Sequence, residues 1–225
     1  MCGRFNLIAT KMQIMEHFCL QCLADYQPDY NIAPGQKIIT VVRLEDGSNK
    51  AVNLHWGLIP FWSKDRKISS HLINARAETL TEKPSFRKAY QQRRCLIPAT
   101  GFFEWQSTET GKHPYHIHQP ANALLAFAGL WEHWEHQQET VYSCTLITTA
   151  ANAKIAPIHD RMPVIITPDF YDRWLDKTNT TVEMADFLAA DGYKAMQLTP
   201  ISTRVNSPLH NDAECLAAVS IHRIL

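Results

Sequence analysis

A chain of 225 residues, 45 % of them apolar, can bury a sizeable core as one large domain or two small ones, which excludes a disordered or low-complexity polymer. Its 22 basic and 22 acidic residues cancel, which argues against bulk non-specific attraction to nucleic acid while leaving room for a local basic groove. No apolar run approaches a membrane span, and Lys11 and Glu16 interrupt the start, so a cytoplasmic protein with reduced cysteines and no membrane contact is expected.

The chain opens Met1-Cys2-Gly3-Arg4-Phe5. A small residue after Cys2 suits removal of the initiator Met, which would leave a free α-amine and a thiol on adjacent carbons of Cys2. An α-amine titrates near ~7.7–8.0 against ~10.4 for lysine, so far more of it is neutral and nucleophilic at pH 7. It can form an imine with an aldehyde, and the thiol can close that imine into a thiazolidine. The alternative is a frayed terminus with no role for Cys2.

Thr10 and Gln13 have capping-box spacing, and Met12, Met15, Phe18, Cys19, Cys22 and Leu23 fall on one helical stripe. The pattern predicts a helix with Cys19 and Cys22 as buried thiols, since no second pair answers them as metal ligands. Tyr30-Asn31-Ile32-Ala33-Pro34-Gly35 leads into a strand over 37–44, a hairpin turn at Asp46-Gly47 and a strand over 51–58. Trp56 to Trp62 forms a bulky corner. After Ile73-Asn74-Ala75-Arg76-Ala77-Glu78-Thr79, a short helix is expected near Thr81, with Pro84 in its first turn and Phe86, Ala89 and Tyr90 inward. Arg87, Lys88, Arg93 and Arg94 read as a solvated face.

Cys95–Ala99 and Gly101–Trp105 read as successive strands. Glu104 stands among three aromatics, where an apolar setting would raise its pKa toward a general acid's range; an outward strand glutamate is the other reading. Strands follow at 114–118, 123–131 and 140–149, with His116 and His118 on the outer face. His133 and His136 lie at a strand end or turn, and no metal site is assigned. A short helix leads to Ile158, and His159 sits where a loop meets the strand Val164–Ile166. Helices are expected from Thr167 to Leu175 and from Thr180 or Thr181 to Ala190, then a strand near 195–199 before Ser202–Asn206. One domain over 1–225 is the economical reading.

Seven segments recur together: Met1–Phe5, Tyr30–Pro34, Trp56–Pro60, Asn74–Thr79, Cys95–Pro98, Gly101–Trp105 and His159-Asp160-Arg161-Met162-Pro163. In this order and spacing they resemble the SRAP family, the SOS response-associated peptidases, from Cys2 to about Asn206. The resemblance implies an α+β fold, a single domain built on a curved or barrel-like antiparallel sheet with peripheral helices and a positive groove. It implies an abasic-site processing protein that captures the lesion in single-stranded DNA as a thiazolidine crosslink through Cys2. Asn74, Glu104 and His159 would be its catalytic partners. Arg4, Arg76 and Arg161 would line the DNA path, with Asn31 and Pro34 beside it, and Phe61 and Trp62 would stack on bases flanking the lesion. Ser63 departs from members with a second tryptophan there, and Phe103 replaces a frequent tyrosine. No cofactor or metal is implied, and a monomer, nucleoid-associated when on DNA, is expected; replication-fork partners are left open. The competing readings are a thiol peptidase using Cys2 with His159, a non-catalytic single-strand binder and a zinc module.

Overall fold

Short alternating apolar runs separated by turn residues dominate the chain, and strands follow from that pattern. The computed structural model describes residues 2–179, 187 and 193–220. From the N-terminus come β1 (Phe5–Leu7), α1 (Lys11–His17), β2 (Asp29–Ile32), β3 (Lys37–Arg43), β4 (Asn49–Trp56) and β5 (Asn74–Arg76). The middle of the chain gives α2 (Arg87–Gln92), β6 (Arg94–Ala99), β7 (Gly101–Thr108), β8 (Gly111–His118), β9 (Leu125–His136) and β10 (Glu139–Ala150). The last elements are β11 (Arg161–Pro163), α3 (Tyr171–Leu175) and β12 (Gln197–Pro200).

One sheet runs β12-β8-β7-β1-β2. The other runs β11-β10-β4-β3-β6-β9, and β9 pairs back onto β10, so that β10, β4, β3, β6 and β9 close into a ring. This is the expected α+β architecture with a curved, barrel-like sheet. Pairing is antiparallel except along β10, which runs parallel to both β4 and β5. Phe5 meets Trp56 and Phe127 edge-on at 5.2 and 5.8 Å, and Phe102 meets Phe127 at 6.0 Å. These rings bury the root of β1 and fasten the N-terminal segment to both sheets.

Several expectations change. The Thr10–Gln13 capping box forms, but α1 ends at His17 and Cys19 takes a left-handed φ of +53°. The stripe is therefore cut: Ile14, Phe18, Leu20 and Leu23 are buried, while Met12, Cys19 and Cys22 are exposed. His116 is not on an outer face. It is buried, stacked on His118 at 4.4 Å, and its pKa is pushed down to about 3 by burial first and His118 second. Gly101 makes room for that ring, since a Cβ there would lie 2.2 Å from His116 Nε2.

The helix expected near Thr81 begins only at Arg87, though Phe86, Ala89 and Tyr90 do point inward. Its basic residues are not all solvated. Arg93 pairs with buried Glu132 at 2.8 Å. Arg94 is buried and donates to the carbonyls of Tyr90, Gln91, Trp174, Asp176 and Asn179, tying α2 to α3. Linked turns over 153–158 replace the short helix before Ile158. The helix proposed from Thr180 to Ala190 falls outside the described residues, apart from Phe187.

Gly57 ends β4 with φ +135°, and a Cβ there would stand 2.7 Å from the Ser69 carbonyl oxygen. Both backbone strain and a backbone clash oppose any side chain. Gly57→Ala should cost roughly 2–3 kcal/mol and lower the urea midpoint accordingly. An unchanged midpoint would show that the β4 end is free to shift.

Candidate active site at the N-terminus

Cys2 is fully buried, although it is the second residue of the chain. Three backbone or side-chain bonds hold this segment. The Phe103 N–H donates to the Arg4 carbonyl at 2.9 Å, the Thr100 N–H donates to that of Asn6 at 2.8 Å, and Asn74 Nδ2 donates to that of Cys2 at 2.9 Å. Asn74 is itself fixed by the parallel β5–β10 ladder and by the Trp56 indole, which donates to the Ile73 carbonyl at 2.9 Å. Asn74 Oδ1 is buried and accepts no hydrogen bond among the described residues. It can take a donor from an amine or a sugar hydroxyl.

Glu104 projects from β7 and is 3 % exposed. Burial raises its pKa from 4.5 to about 7. The outward-glutamate reading is therefore replaced by a carboxyl that is partly protonated near neutral pH. Burial likewise raises the Cys2 thiol well above its ordinary value, with the Glu104 charge adding to the effect. His159 follows the turn at Ile155, whose carbonyl accepts the His159 N–H at 3.1 Å. Its Nδ1 lies 3.0 Å from both the Arg161 backbone nitrogen and Asp160 Oδ1, and its Nε2 lies 4.0 Å from Glu104 Oε2. Burial lowers the His159 pKa. Asn74, Glu104 and His159, widely separated in sequence, thus meet around the N-terminal segment.

The residues expected along DNA fall into two groups. Arg76, Pro34, Phe61 and Trp62 are exposed, the two rings by 46 and 48 %. Arg76 makes no hydrogen bond or ion pair among the described residues, and Lys88 Nζ lies 4.5 Å above the Phe61 ring. The second group is engaged internally. Arg4 Nη1 donates to Asn31 Oδ1 at 2.7 Å and to the Val205 carbonyl at 2.8 Å. Asn31 is buried and directs its amide at the carbonyls of Val205, Ser207 and His210, so it can hold Arg4 but offers that amide to no ligand. Arg161 makes a two-pronged ion pair with Glu78, both contacts 2.9 Å. Ser63 closes a turn, accepting the Trp134 indole N–H on its carbonyl at 2.7 Å.

A cavity of about 560 Å³ opens beside Glu104 and His159, walled by Trp105, Ser107, Lys112 and Asn206. These four walls escaped the sequence reading. The available signal for Trp105, Ser107 and Lys112 was their place on the Glu104 hairpin, where Ser107 faces Lys112. Asn206 holds the ring edge of Trp105, accepting its indole N–H at 2.7 Å. Among the described residues no group of three His, Cys, Asp or Glu could hold a metal ion.

The sequence profile of the SOS response associated peptidase (SRAP) family matches residues 1–208. The chain is 45 % identical to abasic site processing protein YoaM of Bacillus subtilis, across 97 % of this chain and 98 % of that one. It is 32 % identical to abasic site processing protein HMCES of Xenopus tropicalis, across 86 % of this chain and 67 % of that one. A crystal structure of a Bacteroides thetaiotaomicron protein superposes with a TM-score of 0.82 at 25 % identity, covering 97 % of this chain and all of that one.

A carboxyl whose pKa rises on folding favours the folded state at low pH and disfavours it as pH climbs from the unfolded toward the folded value. For Glu104 that window runs from 4.5 to about 7. Glu104→Gln should match the parent's stability near pH 4.5 and exceed it by on the order of 2–3 kcal/mol above pH 7. Urea unfolding at both pH values measures this, and a pH-independent difference would contradict it.

Proposed function

The chain belongs to the SOS response associated peptidase family, and we propose that it processes abasic sites in single-stranded DNA by covalent capture through Cys2 once Met1 has been removed. The observation that carries the reading is the meeting of Asn74, Glu104 and His159 around a buried Cys2.

The chemistry fits these residue types. An abasic deoxyribose is mainly a closed hemiacetal, and a carboxylic acid on its ring oxygen helps release the aldehyde. Glu104, near half-protonated at neutral pH, suits that step. The Cys2 amine nitrogen then bonds to the aldehyde carbon, and water leaves to give the imine. The thiol adds across C=N: sulfur bonds to carbon, and its proton passes to nitrogen. His159, kept largely neutral, can relay protons, and Asn74 fixes the N-terminal residue. Exposed Phe61 and Trp62 offer stacking surfaces, each worth ~1–3 kcal/mol per base. The same reading takes the protein to be a cytoplasmic monomer that joins the nucleoid when bound to DNA.

A thiol peptidase needs a stabilised thiolate. Burial raises the Cys2 thiol instead, which favours amine attack first and the neutral thiol second. Reversal retraces the same proton transfers and makes the capture a releasable one.

Intact mass after incubation with an abasic oligonucleotide tests the reading. The expected product lacks Met1 and carries the oligonucleotide less one water; an unmodified parent mass would sink it. Cys2→Ala should give only a borohydride-trappable imine. Glu104→Gln should slow both formation and reversal, with the parent's advantage shrinking above pH 7 as Glu104 ionises. Equal rates at all pH values would make Glu104 structural.

A further inference from the structure

A sugar lodged beside Glu104 and His159 brings a phosphodiester on each side, so its binding requires cations that are not already committed. Arg4 is held by Asn31 and Val205, and Arg161 by Glu78. The cavity next to the acid and histidine has one further cation in its wall, Lys112. Lys112 is exposed, and its side chain makes no hydrogen bond or ion pair among the described residues.

We infer that the mouth of this cavity is a subsite for a DNA phosphate flanking the lesion, with Lys112 as its cation. The inference rests on the abasic-site reading above. The hairpin makes the subsite: Lys112 stands directly opposite Ser107, and Trp105 and Ser107, two residues apart on β7, share the face that Lys112 joins. Glu104 lies three residues along β7 from Ser107, about 10 Å of strand and on the alternate side of the pleat, and one cavity is lined by Glu104, His159 and Lys112 together. Trp105, braced by Asn206, belongs to the same wall. Lys112 is also close enough for its charge to act on His159, in the direction that disfavours a second positive charge there. A phosphate on Lys112 would offset that charge. The nearest acid on the histidine loop is Asp160, whose Oδ1 lies 3.0 Å from His159 Nδ1.

Lys112→Gln, on an exposed hairpin, is the test, with Lys112→Arg as the rescue. Binding of undamaged single-stranded oligonucleotide by anisotropy should weaken about three- to tenfold at low salt, and the salt slope should fall by roughly 0.7–1. With an abasic oligonucleotide, the protein concentration giving half-maximal crosslinking should rise by a similar factor, while the maximal rate changes by less than about twofold. Lys112→Arg should recover both affinity and slope. Parent-like affinity and slope in Lys112→Gln would overturn the subsite. A lower maximal rate at unchanged affinity would also overturn it, moving Lys112 to the proton chemistry of His159. Failure of the parent to crosslink would overturn the covalent reading instead, and the undamaged strand would still report on Lys112.

Discussion

The hydrogen bond from Asn74 to the Cys2 carbonyl is the contact on which the site depends. A chain terminus frays unless something ties it down, and a nucleophile on a fraying terminus has no defined approach to anything. Here the tie is made from a three-residue strand, β5, whose ladder partner is β10. That strand is in turn braced by the Trp56 indole, and Trp56 packs edge-on against Phe5, three residues from Cys2. The support runs in a closed circuit, from the N-terminal segment through the aromatic core to β5 and back to the N-terminal segment. Loosening any member would loosen the rest.

Charge is handled with the same economy. Arg161 carries its own counter-ion in Glu78, and Arg4 is shared between Asn31 and the Val205 carbonyl. A chain of zero net charge thus holds both arginines with their charge already met by acceptors of its own. Any phosphate reaching Arg161 has to compete with a carboxylate already in place.

Much of this was legible in the sequence because local rules agree with the fold. The Asp46-Gly47 hairpin, the Thr10–Gln13 cap and the Glu104 strand follow from turn chemistry, capping and alternation. What escaped depends on partners distant along the chain. Nothing near Cys19 announces a left-handed residue that ends the helix, so the apolar stripe extrapolated too far. Arg94 looks solvated until α3 folds over it and supplies carbonyls. His116 looks outward until its ring is known to lie over Gly101 and against Phe103 and His118. Lys112 and Asn206 acquire meaning only when the β7–β8 hairpin and the segment after β12 close one cavity.

The complete burial of Cys2 also sets a clock on synthesis. β1 lies between β2, where Phe5 meets Ile32, and β7, where Phe5 meets Phe102, so its seating is complete only once about a hundred residues have left the ribosome. At ~5–20 residues per second that leaves roughly 5–20 s during which Met1 and Cys2 stand in solvent. Any trimming before Cys2 would find that residue open during this interval and buried after it. A first strand that found both its partners early would bury Cys2 at once; drawing one of them from mid-chain delays that burial.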